Sequence, residues 1–115
     1  MTDRRTELVE RIRSALADRP STREVSMFGG RSFMVDDRMV VSAFQDGGLL
    51  VRVDGGRHQE LLQRPGAVQA EMGRGRDMGP GWISVSADAI ADDDGLAFWL
   101  GAALDHHRAS AGRRA

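Results

Sequence analysis

Apolar residues recur at helical spacing in two segments, one near each end of the chain. The first covers residues 3–19 and is followed by Pro20, which disfavours helical geometry in the residue before it. The second covers residues 95–108. The positions that share a face are Leu8, Ile12 and Leu16 in the first segment and Leu96, Trp99, Leu100, Ala103, Leu104 and His107 in the second. Each pattern predicts an amphipathic helix with one buried stripe.

Between these helices the pattern changes to that of β-strands. Three β-rich segments are separated by short turn-forming runs, and these segments are residues 32–35, 39–44 and 49–53. Connections that short join antiparallel neighbours, so we expect a β-meander. The remaining predicted elements are a short helix over residues 57–64, strands over 67–72 and 82–85, and a glycine-rich loop over 73–81.

This order, α-βββ-α-ββ-α, predicts an α+β fold. We expect a two-layer sandwich, in which the terminal helices cover one face of an antiparallel five-stranded sheet. The 115 residues fit one domain, residues 1–115. Its core is expected over about residues 5–108, with a flexible C-terminal tail at 109–115.

Composition removes several classes of chemistry. The chain has no cysteine, which excludes disulfides, thiolate nucleophiles, zinc ribbons and iron–sulfur clusters. It also has no lysine, which excludes Schiff-base enzymes and nucleotide-binding loops that depend on lysine. We therefore expect no cofactor and no metal.

The charges are nearly balanced, and no segment is strongly apolar. The 16 basic residues face 17 acidic ones, a formal net charge of −1, which disfavours nucleic-acid binding by bulk electrostatics. The apolar runs are too short to span a membrane, and the charged start has no signal-peptide core behind it. A cytoplasmic location is the expectation.

Arginines in and near the glycine-rich loop are the main candidates for a binding site. Arg74 and Arg76 stand two residues apart among glycines, where their guanidiniums could bind a phosphate or a carboxylate. Arg31 and Arg52 are further candidates for the same patch. The alternative is that the loop is a mobile connection with solvated arginines, and this interpretation is the simpler one.

Other polar groups have simpler explanations than a site. Residues 27–33 are expected to form a tight turn with close backbone approach, because no helix follows to hold a phosphate. Asp92 and the two aspartates after it lack the ligand spacing of a calcium loop and are expected to cap the last helix. The adjacent His106 and His107 point about 100° apart on a helix and cannot share a metal ion.

Catalysis has little support in the sequence. The chain has no nucleophile elbow, and none of its three histidines has a partner that spacing assigns. Trp82 and Trp99 lie on apolar periodicities and are expected in the core. We therefore assign no catalytic residue and expect no enzyme. A small enzyme that uses a carboxylate or a serine is a minor alternative.

The order of several short motifs resembles the TfoX/Sxy N-terminal-domain family. These motifs are Met27-Phe28-Gly29-Gly30, the hairpin that ends with Leu49 to Asp54, the stretch Met72 to Met78 with Gly81-Trp82, and the closing Leu96-Ala97-Phe98-Trp99. The resemblance covers roughly residues 5–108. It implies a two-layer α+β sandwich of the kind that type III secretion chaperones share.

The same resemblance implies a regulatory role and no catalytic residues. The name-giving members activate natural-competence genes together with the cyclic-AMP receptor protein, and they carry a second, helical domain that is expected to be missing here. We therefore expect a non-enzymatic regulatory or protein-interaction domain whose partner is a transcription factor or polymerase, with a homodimer left open. The alternative is direct binding of nucleic acid or a small anion by an arginine patch.

Overall fold

The computed structural model describes residues 4–19, 21–27, 30–71 and 75–112. Its helices are α1 (Arg4–Ala15), α2 (His58–Leu61) and α3 (Asp93–Gly112). Its strands are β1 (Thr22–Met27), β2 (Gly30–Val35), β3 (Arg38–Phe44), β4 (Leu49–Arg52), β5 (Ala67–Gln69) and β6 (Trp82–Val85). Single turns of 3-10 helix precede α2 and α3, at Gly55–Arg57 and Ala87–Ile90.

All six strands form one antiparallel sheet in the order β1-β2-β3-β4-β6-β5. The first four strands follow the order of the chain, as short turns require. β6 lies between β4 and β5. After β4, the chain therefore forms α2 and the edge strand β5 first, and then returns as β6 to pair with β4. The expected antiparallel α+β architecture is therefore confirmed.

The two faces of the sheet differ in character, as strand alternation predicts. One row of directly paired residues runs through Phe33, Val41, Val51 and Ile83, and all four are fully buried. These side chains form one apolar cluster with residues of α1 and α3, so the helices cover this face. The neighbouring row, on the opposite face, runs through Ser32, Ser42, Leu50 and Ser84 and is outside that cluster.

The sheet has one strand more than the sequence pattern predicts. The additional strand is β1, which pairs along its whole length with β2. The residues Thr22–Met27 show little alternation of apolar and polar side chains. An edge strand that buries little of its surface does not require such alternation. Met27 pairs with Gly30, and residues 28 and 29 between them lie outside the described part of the chain.

The close backbone approach expected near residues 27–33 is present at Gly30. A Cβ at this position would collide with the carbonyl oxygen of Ala43 on β3, so only glycine fits. The ends of the terminal helices also differ from the sequence pattern. α1 ends at Ala15, before the predicted end at residue 19, and α3 extends to Gly112, through residues that the pattern assigns to the tail.

None of the helices in the described ranges combines the length and the apolar character that crossing a membrane requires.

Candidate functional site

A cavity of about 340 Å³ lies at one end of the sheet, where β4 ends and β3 and β6 begin. The C-terminal half of α3 forms its other wall. Its lining residues are Arg38, Met39, Val40, Arg52, Trp82, Ala103, His106 and His107. Four of the eight are arginine or histidine, and none is acidic. We refer to this feature as the arginine cavity.

The pairing of β4 with β6 positions two of the lining side chains. Arg52 and Trp82 are direct neighbours across the two strands. The guanidinium of Arg52 stacks on the Trp82 indole, with its carbon 4.8 Å from the ring centroid. A Cβ at Gly81 would collide with this guanidinium, so the glycine before Trp82 leaves the space that Arg52 occupies. Stacking restricts the guanidinium while its N–H groups stay available to a ligand.

The two arginines of the cavity have no carboxylate ion-pair partner among the described residues. Among the described residues, neither Arg38 nor Arg52 forms an ion pair with a carboxylate. Both side chains are half-buried, which makes their charges less screened than those of fully exposed arginines. The arrangement is therefore suited to bind an oxyanion.

His107 connects the wall of the cavity to the turn between β2 and β3. Its Nε2 donates to a carboxylate oxygen of Asp36 at 3.0 Å, and its side chain is almost completely buried. This hydrogen bond, with a second one from Ser21, holds the pKa of the Asp36 carboxyl below its usual range. The bond fixes the end of α3 relative to the strands that line the cavity.

A buried hydrogen-bond network holds the strand that carries Trp82. Nδ1 of His58 accepts from the backbone N–H of Gly81 at 2.9 Å, so the ring must carry its proton on Nε2. That Nε2 donates to the side-chain oxygen of Gln69 at 2.7 Å. The two N–H groups of the Gln69 amide are in turn shared among the carbonyls of Ala70, Gly79 and Trp82. The end of the glycine-rich loop is thus fixed to α2 and β5.

Two further cavities lie along the helices. One of about 220 Å³ adjoins the arginine cavity, because His106 lines both, and its other polar lining residues are Asp54, Arg57 and Asp105. The other, of about 540 Å³, lies between α1 and the turn before α3 and has charges of both signs on its rim. Arg11 crosses this groove and donates to the backbone carbonyls of Ile90 and Asp92. These contacts connect α1 to the start of α3.

The four arginines selected from the sequence do not come together. Arg31 pairs with Ala43 of β3 and lies close to Glu24, whereas Arg52 pairs with Trp82 of β6 and lines the arginine cavity. Arg76 is exposed in the glycine-rich loop, and Arg74 lies outside the described residues. Of the described three, Arg52 alone lines one of these cavities. Their role in binding stays a prediction.

Arg31 already has an acidic neighbour. Its guanidinium lies 3.8 Å from Glu24, which also accepts two hydrogen bonds from Arg13 of α1. The Arg13 hydrogen bonds lower the pKa of the Glu24 carboxyl, and Arg31 adds a smaller effect in the same direction. Arg31 therefore belongs to an ion-pair cluster that joins α1 to the edge of the sheet.

Sequence reasoning missed Arg38, His106 and the position of Trp82. Trp99 is buried in the core as expected, but Trp82 is only half-buried and forms a cavity wall. The register of the β3–β4 hairpin was a usable signal: it pairs Val41 with Val51, which puts Arg52 close to the start of β3. The spacing of residues along the chain does not indicate that α3 packs beside Arg52 and the start of β3.

Of the three aspartates expected to cap α3, Asp92 lies before the helix, and Asp93 and Asp94 lie in its first turn. Asp92 caps the helix, because its side chain accepts from the backbone N–H of Gly95 at 2.7 Å. In the part of the chain that the structure describes, no three His, Cys, Asp or Glu side chains are grouped as metal ligands.

Comparison with known proteins agrees with the fold and the motif order. A family model described as the TfoX N-terminal domain matches residues 14–107 of the 115 in the chain. This range covers every strand of the sheet and most of α3. No curated protein matches the sequence significantly.

Proposed function

The chain belongs to the TfoX N-terminal domain family, and on that premise we propose that it is a regulatory domain that acts by binding another protein, without catalysis. The partner class is a component of the transcription machinery, either a transcription factor or the polymerase. The observation that carries the proposal is the Arg52–Trp82 pair at the arginine cavity.

Arginine and tryptophan are the side chains that most often dominate binding energy at protein interfaces. Here both lie in a concave surface next to Arg38, and the two guanidiniums have no carboxylate partner in the described chain. A partner that inserts an acidic group would neutralise them and cover the indole. We infer that the arginine cavity is the contact surface.

A direct role in binding a nucleic-acid backbone has less support. Such binding requires arginines on one surface, and Arg31 is not among the residues that line the cavity with Arg52. Arg31 is also partly neutralised by Glu24.

Capture from native lysate with three forms of the chain tests the proposal. The forms are wild type, Arg52→Glu, and Arg23→Glu as the control. Arg23 is an exposed arginine on β1, at the opposite edge of the sheet from β5 and two strands from β3. We expect a transcription factor or polymerase subunit to be enriched with wild type and Arg23→Glu but not with Arg52→Glu.

Equal enrichment by all three forms would refute the assignment of the surface. Enrichment of no such protein by any form would refute the proposed function. A gel-shift titration at low salt with the same three proteins examines the nucleic-acid alternative, since saturable DNA binding that only Arg52→Glu loses would support it instead.

A further inference from the structure

The arginine cavity also has the size and chemistry of a site for a small molecule. Its volume of about 340 Å³ is within the range of ligand pockets. Four of its lining residues are basic or imidazole-bearing, namely Arg38, Arg52, His106 and His107, and the other four are Met39, Val40, Ala103 and Trp82. A fitting ligand therefore has an anionic end and an apolar body.

The charge of the cavity distinguishes between anions. Two arginines without carboxylate ion-pair partners in the described chain bring a charge of +2 to the lining of the cavity. One carboxylate neutralises half of that charge. A phosphate monoester carries between about −1.5 and −2 at neutral pH and offers three acceptor oxygens, which is enough for both arginines.

We propose that the arginine cavity binds a small phosphate monoester, with its phosphate on Arg38 and Arg52 and its apolar body against Trp82. The proposal depends on the proposed function only for the choice of site. It adds a ligand that would compete with, or regulate, the protein contact there. Arg52 is restrained for this task because it stacks on the indole, so that little side-chain freedom is lost on binding.

Calorimetric titration of the whole chain tests this inference, with phenyl phosphate as the probe. Inorganic phosphate, benzoate and a short phosphotyrosine peptide are the comparison ligands. We expect phenyl phosphate to bind saturably, more tightly than inorganic phosphate, which lacks the apolar body, and more tightly than benzoate, which carries one charge. Affinity should fall as salt is raised.

The variants Arg38→Met and Arg52→Met keep apolar stems and remove one charge each. Either one is expected to weaken phenyl phosphate binding by about tenfold or more, as the loss of a charge-assisted pair predicts. Arg23→Met, the matched control, should bind as wild type does. Thermal unfolding of all four proteins confirms that the variants are folded.

Three results would overturn the inference. These are no saturable binding of phenyl phosphate at millimolar concentration, benzoate binding as tight as phenyl phosphate, and equal binding by the three methionine variants. Binding of the phosphopeptide alone would replace the small molecule with a modified protein. Because the titration contains no partner protein, its failure leaves the capture experiment and the proposed function standing.

Discussion

His107 near the end of the chain donates a hydrogen bond to Asp36, which lies 71 positions earlier in the turn between β2 and β3. The carboxylate is exposed and the imidazole is buried, so the bond joins the exposed turn of the β2–β3 hairpin to a buried position on α3. It holds the helix that forms one wall of the arginine cavity against the strands that form the other.

This bond predicts a specific response to acid. The pKa of Asp36 is lower in the folded chain, mainly because of His107. A folded-state carboxyl that binds protons more weakly than in the unfolded chain stabilises the fold above the ordinary aspartate pKa of about 4. That stability is lost as pH falls through the lowered value. Asp36→Asn should therefore give a flatter fall in stability below about pH 5 than wild type does, in urea unfolding at stepped pH.

Asp37→Asn is the control for that experiment, because Asp37 is the other residue of the same turn and contacts Arg23 rather than His107. Identical pH profiles for the two variants would contradict the role of Asp36.

Replacing one residue of the turn between β2 and β3 with glycine should stabilise the fold. Asp36 and Asp37 have φ values of +52° and +66°, which side chains with a Cβ rarely adopt. Asp37→Gly removes this strain at the residue that lacks the His107 contact and should stabilise the fold by about 1 kcal/mol. The exposed ion pair with Arg23 is lost in this variant but contributes little. Thermal or urea unfolding measures the difference, and a destabilised variant would contradict the strain argument.

Two glycines of α3 should respond in opposite ways to alanine. A Cβ at Gly95 would collide with the carbonyl oxygen of Ala89, so Gly95→Ala must displace the turn before the helix. Gly101 lies inside the helix with nothing within 4 Å of the added Cβ. Gly101→Ala should stabilise the protein by about 1 kcal/mol, whereas Gly95→Ala should destabilise it. Each variant is the control of the other, and shifts of the same sign would contradict the prediction.

The His58–Gln69 network should control the position of β6. Gln69→Leu keeps the size of the side chain but leaves Nε2 of His58 and three backbone carbonyls without this partner. A loss of about 2–3 kcal/mol in the free energy of unfolding is expected. The fluorescence of Trp82 should change as well, because its carbonyl is one of the three acceptors.

Val68→Thr is the matched control, since Val68 is the exposed neighbour of Gln69 on β5. If Gln69→Leu is no less stable than Val68→Thr, the network does not hold the strand.

Local chemistry in the sequence was sufficient to predict most of the fold. The period of Leu8, Ile12 and Leu16 predicted α1, and all three are buried. The turn after Val35 and the one before Leu49 predicted the β2-β3-β4 part of the meander. β1 was missed because an edge strand needs no alternation of apolar and polar residues. Its strand conformation depends on pairing with β2, which the residues of β1 alone do not indicate.

The site was harder to predict, because its residues come from separate parts of the chain and no single sequence motif includes them. The arginine cavity combines the start of β3, the end of β4, the start of β6 and α3. Arg52 was selected for its charge, but its partner Trp82 was assigned to the core from its apolar neighbours, and Arg38 was not selected. Only the sheet register and the docking of α3 bring these side chains together.

The strand order has a consequence for the way the sheet assembles. β1 to β4 follow one another along the chain at intervals of two to four residues, so their pairings close short loops at little entropic cost. β6 reaches β4 only after the chain that contains α2 and β5 has closed a much longer loop. Folding should therefore start in the meander, and the wall of the arginine cavity that carries Trp82 should form only afterwards, when β6 docks.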